Sequence, residues 1–180
     1  MSAGQSQPMI RVSHLRTSDF GEVWFAEGPR GLWRINYGTD RARFLADLAG
    51  DGVAFVEDER ATAATRKALA EYFAGKRREF ALTVDWSRVS GFTRKALQVC
   101  ARIPYGQTLS YGEVAAKAGS PGGARAVGQA MGKNPFPPVV PCHRVLAAGK
   151  RLGGFSGKLS YKRALLELEG TEARPNGKRR

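Results

Sequence analysis

Ser110-Tyr111-Gly112-Glu113, then Gly119-Ser120-Pro121, then Ala124-Arg125-Ala126-Val127-Gly128-Gln129-Ala130-Met131 decide how the second half of this chain folds. The first four residues form a capping-box pattern, in which the Ser hydroxyl and the Glu carboxylate each satisfy a free backbone N–H at a helix start. The helix they open stops near Gly119. Ser120-Pro121 offers a second start, with Ser as N-cap and Pro at the first helical position, and Gly132-Lys133-Asn134-Pro135 ends it. Two short helices across a tight turn have the form of a helix-turn-helix. The second helix has little side-chain bulk, because Ala124, Ala126, Gly128, Ala130 and Gly132 all lie in or at its end. Small residues allow close approach, either to a neighbouring helix or into a narrow groove from which Arg125 would project.

Working outward, Phe92, Ala96, Val99, Cys100 and Ile103 fall on one face at helical spacing, and Pro104-Tyr105-Gly106 ends that helix. Cys100 belongs to the apolar stripe and is expected to be a small core residue. A boundary is expected at Ser87 to Gly91. Before it, Glu22–Glu27 and Leu32–Tyr37 read as two strands joined by the turn residues Gly28-Pro29-Arg30-Gly31. Helices are expected near Arg41–Ala49 and Thr62–Ala74, and a strand near Glu79–Asp85. His14 stands alone there, as a surface or packing residue.

Charge is unevenly placed. Residues 1–90 hold 13 Lys and Arg against 12 Asp and Glu, whereas residues 91–180 hold 16 against 4. A half-chain that basic suits an anionic neighbour such as nucleic acid. A membrane surface fits less well, because no long segment has an uninterrupted apolar face. The start, Met1 to Pro8, lacks the apolar core of a secretory signal, and no stretch approaches a membrane span. A cytoplasmic protein with two reduced thiols, Cys100 and Cys142, is therefore expected.

The chemistry is concentrated in Asn134-Pro135-Phe136-Pro137-Pro138-Val139-Val140-Pro141-Cys142-His143-Arg144-Val145. The prolines fix φ and force extended neighbours, so the chain arriving at Cys142 is stiff. A free thiol titrates near about 8.5, so little of it is thiolate at neutral pH. His143 and Arg144 beside it supply a base and a fixed positive charge, and both favour the anion. A Cys–His hydrolase fits poorly, because adjacent side chains in an extended segment point apart and the only other histidine is His14. A zinc site fits no better, since Cys100, Cys142, His14 and His143 lack paired ligand spacing. Further on, Gly149 to Lys158 reads as a basic, glycine-rich loop, followed by a helix from Tyr161 to Glu169.

These residues together resemble the O6-alkylguanine-DNA alkyltransferase family, the methylated-DNA–protein-cysteine methyltransferases. The resemblance covers about residues 91–170. It rests on Ile103-Pro104-Tyr105-Gly106, Ser110-Tyr111-Gly112, Ala124-Arg125-Ala126-Val127-Gly128, Asn134-Pro135, Pro141-Cys142-His143-Arg144 and Glu169-Gly170, in matching order and spacing. It implies an α/β N-terminal domain over 1–88, ribonuclease-H-like, with a small antiparallel sheet and helices. A mainly α domain over 89–170 with a winged helix-turn-helix would follow, then a basic disordered tail over 171–180.

The resemblance also implies roles. Cys142 would accept the alkyl group, His143 would activate it through a water, and Glu169 would orient His143. Tyr111 would help rotate the nucleotide and pass a proton to the leaving guanine, and Asn134 would brace the turn. Arg125 would fill the gap left by the flipped base, with Ala124, Ala126, Gly128, Met131 and Lys133 also at the DNA. Val145, Phe155, Ser156 and Arg144 would form the base pocket. Many family members carry Tyr at the position of Phe155, so any contact of that hydroxyl is missing. The expected partner is double-stranded DNA with alkylated bases, met by a monomer without cofactor or metal. A thioether has no easy exit route, so each molecule would act once. A non-catalytic lesion binder would lack the acceptor Cys. A regulator using only the helix-turn-helix would leave Cys142-His143-Arg144 and Glu169 unexplained.

Overall fold

A computed structural model of the chain describes residues 9–154 and 158–176. The contacts divide it into two units, one ending at Asp85 and one beginning at Trp86.

In the first unit, β1 (Ile10–Thr17), β2 (Gly21–Gly28) and β3 (Gly31–Tyr37) form an antiparallel meander. Helix α1 (Arg41–Gly50) then leads to a short β4 (Phe55–Glu57), and α2 (Ala63–Phe73) follows. The strand order is β3-β2-β1-β4. Val23, Trp24, Phe25 and Ala26 are all buried, as expected for a strand covered on both faces. Trp24 and Ala26 share a core with Phe44 and Leu48 of α1, while Leu69 and Tyr72 of α2 are also out of water. His14 stacks on Trp24, with ring centroids 4.5 Å apart.

Two expectations for this half are corrected. The sheet is mixed rather than antiparallel, because β4 pairs parallel with β1; a strand reached through a helix can return in the same direction. Neither β1 nor β4 was anticipated. The strand expected over Glu79–Asp85 is reduced to a bridge at Val84, where Leu32 donates to Thr83 and accepts from Asp85. Asp85 then binds the Arg30 side chain and the chain turns into a 3₁₀ helix at Trp86–Arg88, which ends the pairing.

In the second unit, α3 (Gly91–Cys100), α4 (Tyr111–Lys117) and α5 (Ala124–Gly132) pack on one another. Their shared core holds Ala96, Leu97, Cys100, Val114, Ala115, Val127 and Ala130. The capping box at Ser110 and Glu113 is formed in both directions, at 3.2 and 2.7 Å. Helix α5 covers the expected run from Ala124, but Ser120 is not its N-cap. Gly122 has φ +83, which no helix can include, so Gly123 caps α5 and Ser120 closes the preceding turn. A two-residue parallel pair joins β5 (Leu109–Ser110) to β6 (Val145–Leu146), and α6 (Leu159–Leu168) completes the unit. The segment beyond 171 was expected to be disordered; as far as Asn176 it is hydrogen-bonded to residues 150–153. Among the described residues no helix is long and apolar enough to cross a membrane.

Candidate active site

Cys142-His143-Arg144 is a single 3₁₀ turn rather than extended chain, so its three side chains leave in different directions. Two features hold it. The Asn134 side chain donates to the Val140 carbonyl at 2.7 Å and accepts from the Phe136 N–H at 3.0 Å, bracing the proline-rich approach. Pairing of β6 with β5 then lays Val145 beside Leu109 and Leu146 beside Ser110, which places the start of α4 next to the turn.

His143 is completely buried, and its Nε2 lies 2.8 Å from Oε1 of Glu169. Arg144 grips the same carboxylate in a fork, Nε to Oε2 and Nη2 to Oε1, each at 2.8 Å. Its remaining Nη1 donates to the Ile103 carbonyl, and the guanidinium lies over the Tyr105 ring. Glu169 therefore carries one full counter-charge and one imidazole contact, an arrangement that satisfies a buried anion. Burial pushes the His143 pKa below its ordinary 6.5, with Glu169 pulling the other way, so the ring is neutral at pH 7.

A cavity of about 730 Å³ opens over Cys142 and is lined by Tyr111, Ala124, Arg125, Gly128, Met131 and Gly154 among others. Burial pushes the Cys142 thiol above its ordinary value; the Asn134 contact, the charge of Lys162 and two backbone N–H groups oppose that rise. The Tyr111 hydroxyl donates to the Gly154 carbonyl at 2.9 Å, and burial pushes its pKa up to about 12.

Lys162 was not anticipated. It is completely buried, and its Nζ donates to the carbonyls of Val145 at 2.7 Å and Leu152 at 2.6 Å. It also reaches the Gly154 carbonyl at 3.3 Å and the Tyr111 hydroxyl at 3.4 Å. Burial lowers its pKa to about 8. The signal was present in α6, where Lys162 shares the buried face with Leu165, Leu166 and Glu169 at helical spacing. A lysine on an apolar stripe, far from the Cys-His-Arg segment in sequence, points to a charge needed inside.

Residues 91–171 match the model described as 6-O-methylguanine DNA methyltransferase, DNA binding domain. A methylated-DNA–protein-cysteine methyltransferase of Methanosarcina acetivorans is 33% identical over 154 residues, which cover 86% of this chain and 95% of that protein. The chain belongs to this family. A second member, from Mycolicibacterium paratuberculosis, is 48% identical over 115 residues, covering 64% of this chain and 69% of its own. Among solved structures, the Mycobacterium tuberculosis OGT in complex with DNA aligns with TM-score 0.75 and 36% identity, over 89% of this chain and 92% of that one. The O6-methylguanine-DNA methyltransferase from Pyrococcus kodakaraensis aligns with TM-score 0.64 at 28% identity, over 91% and 100%.

Set against this family membership, the structure brings Cys142, Tyr111, Arg125, Ala124, Gly128 and Met131 to one cavity, and His143 and Glu169 to one hydrogen bond behind it. Asn134 braces the turn. Ala126 and Lys133 are exposed on and just after α5 and do not line the cavity. Arg144, expected in the base pocket, is instead turned inward onto Glu169, whose carboxylate compensates its buried charge. The Val145 carbonyl is occupied by Lys162. Phe155 and Ser156 lie outside the described residues.

Proposed function

We propose that this chain repairs DNA by moving an alkyl group from O6 of guanine to Sγ of Cys142, each molecule once. The observation that carries the reading is the meeting of a buried cysteine, a tyrosine hydroxyl and an arginine-bearing helix of small residues at one cavity. The relatives are named for this reaction.

An alkyl group within the base stack is out of reach of a protein thiol, so the nucleotide must first leave the duplex. Helix α5 would enter the minor groove, with Arg125 taking the place of the extruded base. Phosphate contacts from the basic half-chain would offset the unstacking. His143, neutral and held by Glu169, takes the Cys142 proton through a water. The sulfur then attacks the alkyl carbon, a C–S bond forms, and the C–O bond breaks with its electron pair going to the guanine. Tyr111 supplies the proton that the base takes up, and the adjacent Lys162 charge stabilises the phenol oxygen as it does so.

In this proposal residues 89–170 form a winged helix-turn-helix domain that binds and reacts, and residues 1–88 a ribonuclease-H-like domain. The protein would act as a monomer in the cytoplasm, at the nucleoid in a bacterium. Intact-mass measurement after incubation with an O6-methylguanine oligonucleotide tests the reading. One added methyl on the Cys142 peptide is expected; unmodified protein under reducing conditions would count against it.

A further inference from the structure

The chain beyond α6 is laid back along the loop that leads into the active site, and most of this segment lies past the residues matched by the family description. Ala173 packs on the cluster of Leu146, Leu152 and Leu166. Arg174 pairs through its backbone, donating to the Lys150 carbonyl at 2.8 Å and accepting from the Leu152 N–H at 3.0 Å. Asn176 then adds a side-chain clasp. Its Oδ1 accepts from the Gly153 N–H at 2.8 Å, and its Nδ2 donates to the Gly153 carbonyl at 3.1 Å. One amide that satisfies both backbone groups of a single residue fixes the height and the rotation of that residue, as a neighbouring strand would.

Placement of Gly153 matters to the site. It has φ +69, and a Cβ there would stand 2.9 Å from the Tyr111 ring. The carbonyl before it, on Leu152, and the carbonyl after it, on Gly154, both accept from Lys162. The Gly154 carbonyl also takes the Tyr111 hydroxyl. Asn176 is thus one residue away from each of two carbonyls that orient Tyr111 and Lys162.

We infer that Asn176 is a positioning residue for alkyl transfer, acting through its clasp on Gly153 to hold the backbone against which Tyr111 and Lys162 are set. The inference rests on Cys142 being the acceptor. Asn176 itself touches neither the thiol nor the cavity.

The test compares the full-length parent with Asn176→Ala and Asn176→Asp, using duplex DNA containing O6-methylguanine. Three quantities are read: the transfer rate at saturating DNA, the DNA concentration giving half that rate, and the melting temperature. Asn176→Ala is expected to slow saturated transfer about five- to ten-fold, the range one exposed pair of hydrogen bonds can supply, with the other two quantities close to the parent. Asn176→Asp keeps the acceptor for the Gly153 N–H and loses the donor, so its rate falls between the two. A rate in Asn176→Ala equal to the parent's overturns the inference. So does a loss that tracks a lowered melting temperature, since that marks a purely structural contact. A parent that acquires no methyl group overturns the acceptor reading itself, an outcome distinct from either.

Discussion

Nε2 of His143 and Oε1 of Glu169 face each other at 2.8 Å with both side chains wholly out of water. The same carboxylate neutralises Arg144, so one side chain at the end of α6 governs two consecutive residues of the acceptor turn.

Glu169→Gln should therefore be costly twice over. It strands the buried Arg144 charge, and removing one partner of such a pair costs about 3–5 kcal/mol. It also removes the group that orients His143. A lowered melting temperature together with slower methylation is expected. A variant as stable as the parent would show that the fork contributes nothing.

Acid should weaken the fold through His143. Its folded pKa lies below the ordinary 6.5, so below that pH the unfolded chain binds a proton that the folded chain does not. Stability is then lost progressively as pH falls under 6.5. Melting curves at about pH 7.5 and about pH 5.5 measure the loss, and His143→Gln should reduce it.

The sequence made the reactive half legible to a useful depth. Ser110 and Glu113 announced their capping box, and the proline run marked Cys142 as a fixed position. What escaped was long-range. Lys162 lies on a helix that gives no local hint of the carbonyls it meets. The inward turn of Arg144 depends on Glu169, 25 residues on. Strand β4 depends on pairing with β1, which lies far back in the chain, and a three-residue strand carries too short a pattern to detect. Gly122, with its positive φ, overrode a sound N-cap at Ser120, because that conformation breaks the helix whatever the capping residue offers.

In the absence of DNA, Cys142 should react slowly with iodoacetamide at neutral pH and faster as the solution becomes alkaline, because burial holds its pKa above that of a free thiol. Lys162 opposes that rise, so Lys162→Met should move the reactivity profile further towards alkali. Peptide mass spectrometry across a pH series reads both. A profile shifted the other way would contradict the assigned electrostatics.

Arg125 lines the cavity mouth from α5. Arg125→Ala should slow repair of duplex substrate about ten-fold, since filling the gap offsets part of the few kcal/mol of unstacking. Reaction with free O6-methylguanine base should be spared. Equal losses on both substrates would remove the gap-filling role.

Gly153→Ala places a Cβ 2.9 Å from the Tyr111 ring at a backbone φ of +69. Strain of about 1–3 kcal/mol and slower transfer are expected. At Gly154 φ is not positive, and no atom of the described residues lies within 4 Å of an added Cβ. Gly154→Ala should accordingly melt nearer to the parent, and a pair of variants with equal melting temperatures would refute the assignment.

Only 4% of Cys142 meets solvent, and that burial pushes the pKa of its thiol up. For a reagent that each molecule carries once, this is a safeguard. Peroxides and stray electrophiles in solution meet little of this sulfur and little thiolate, which slows their reaction with it. Readiness and restraint come from the same burial.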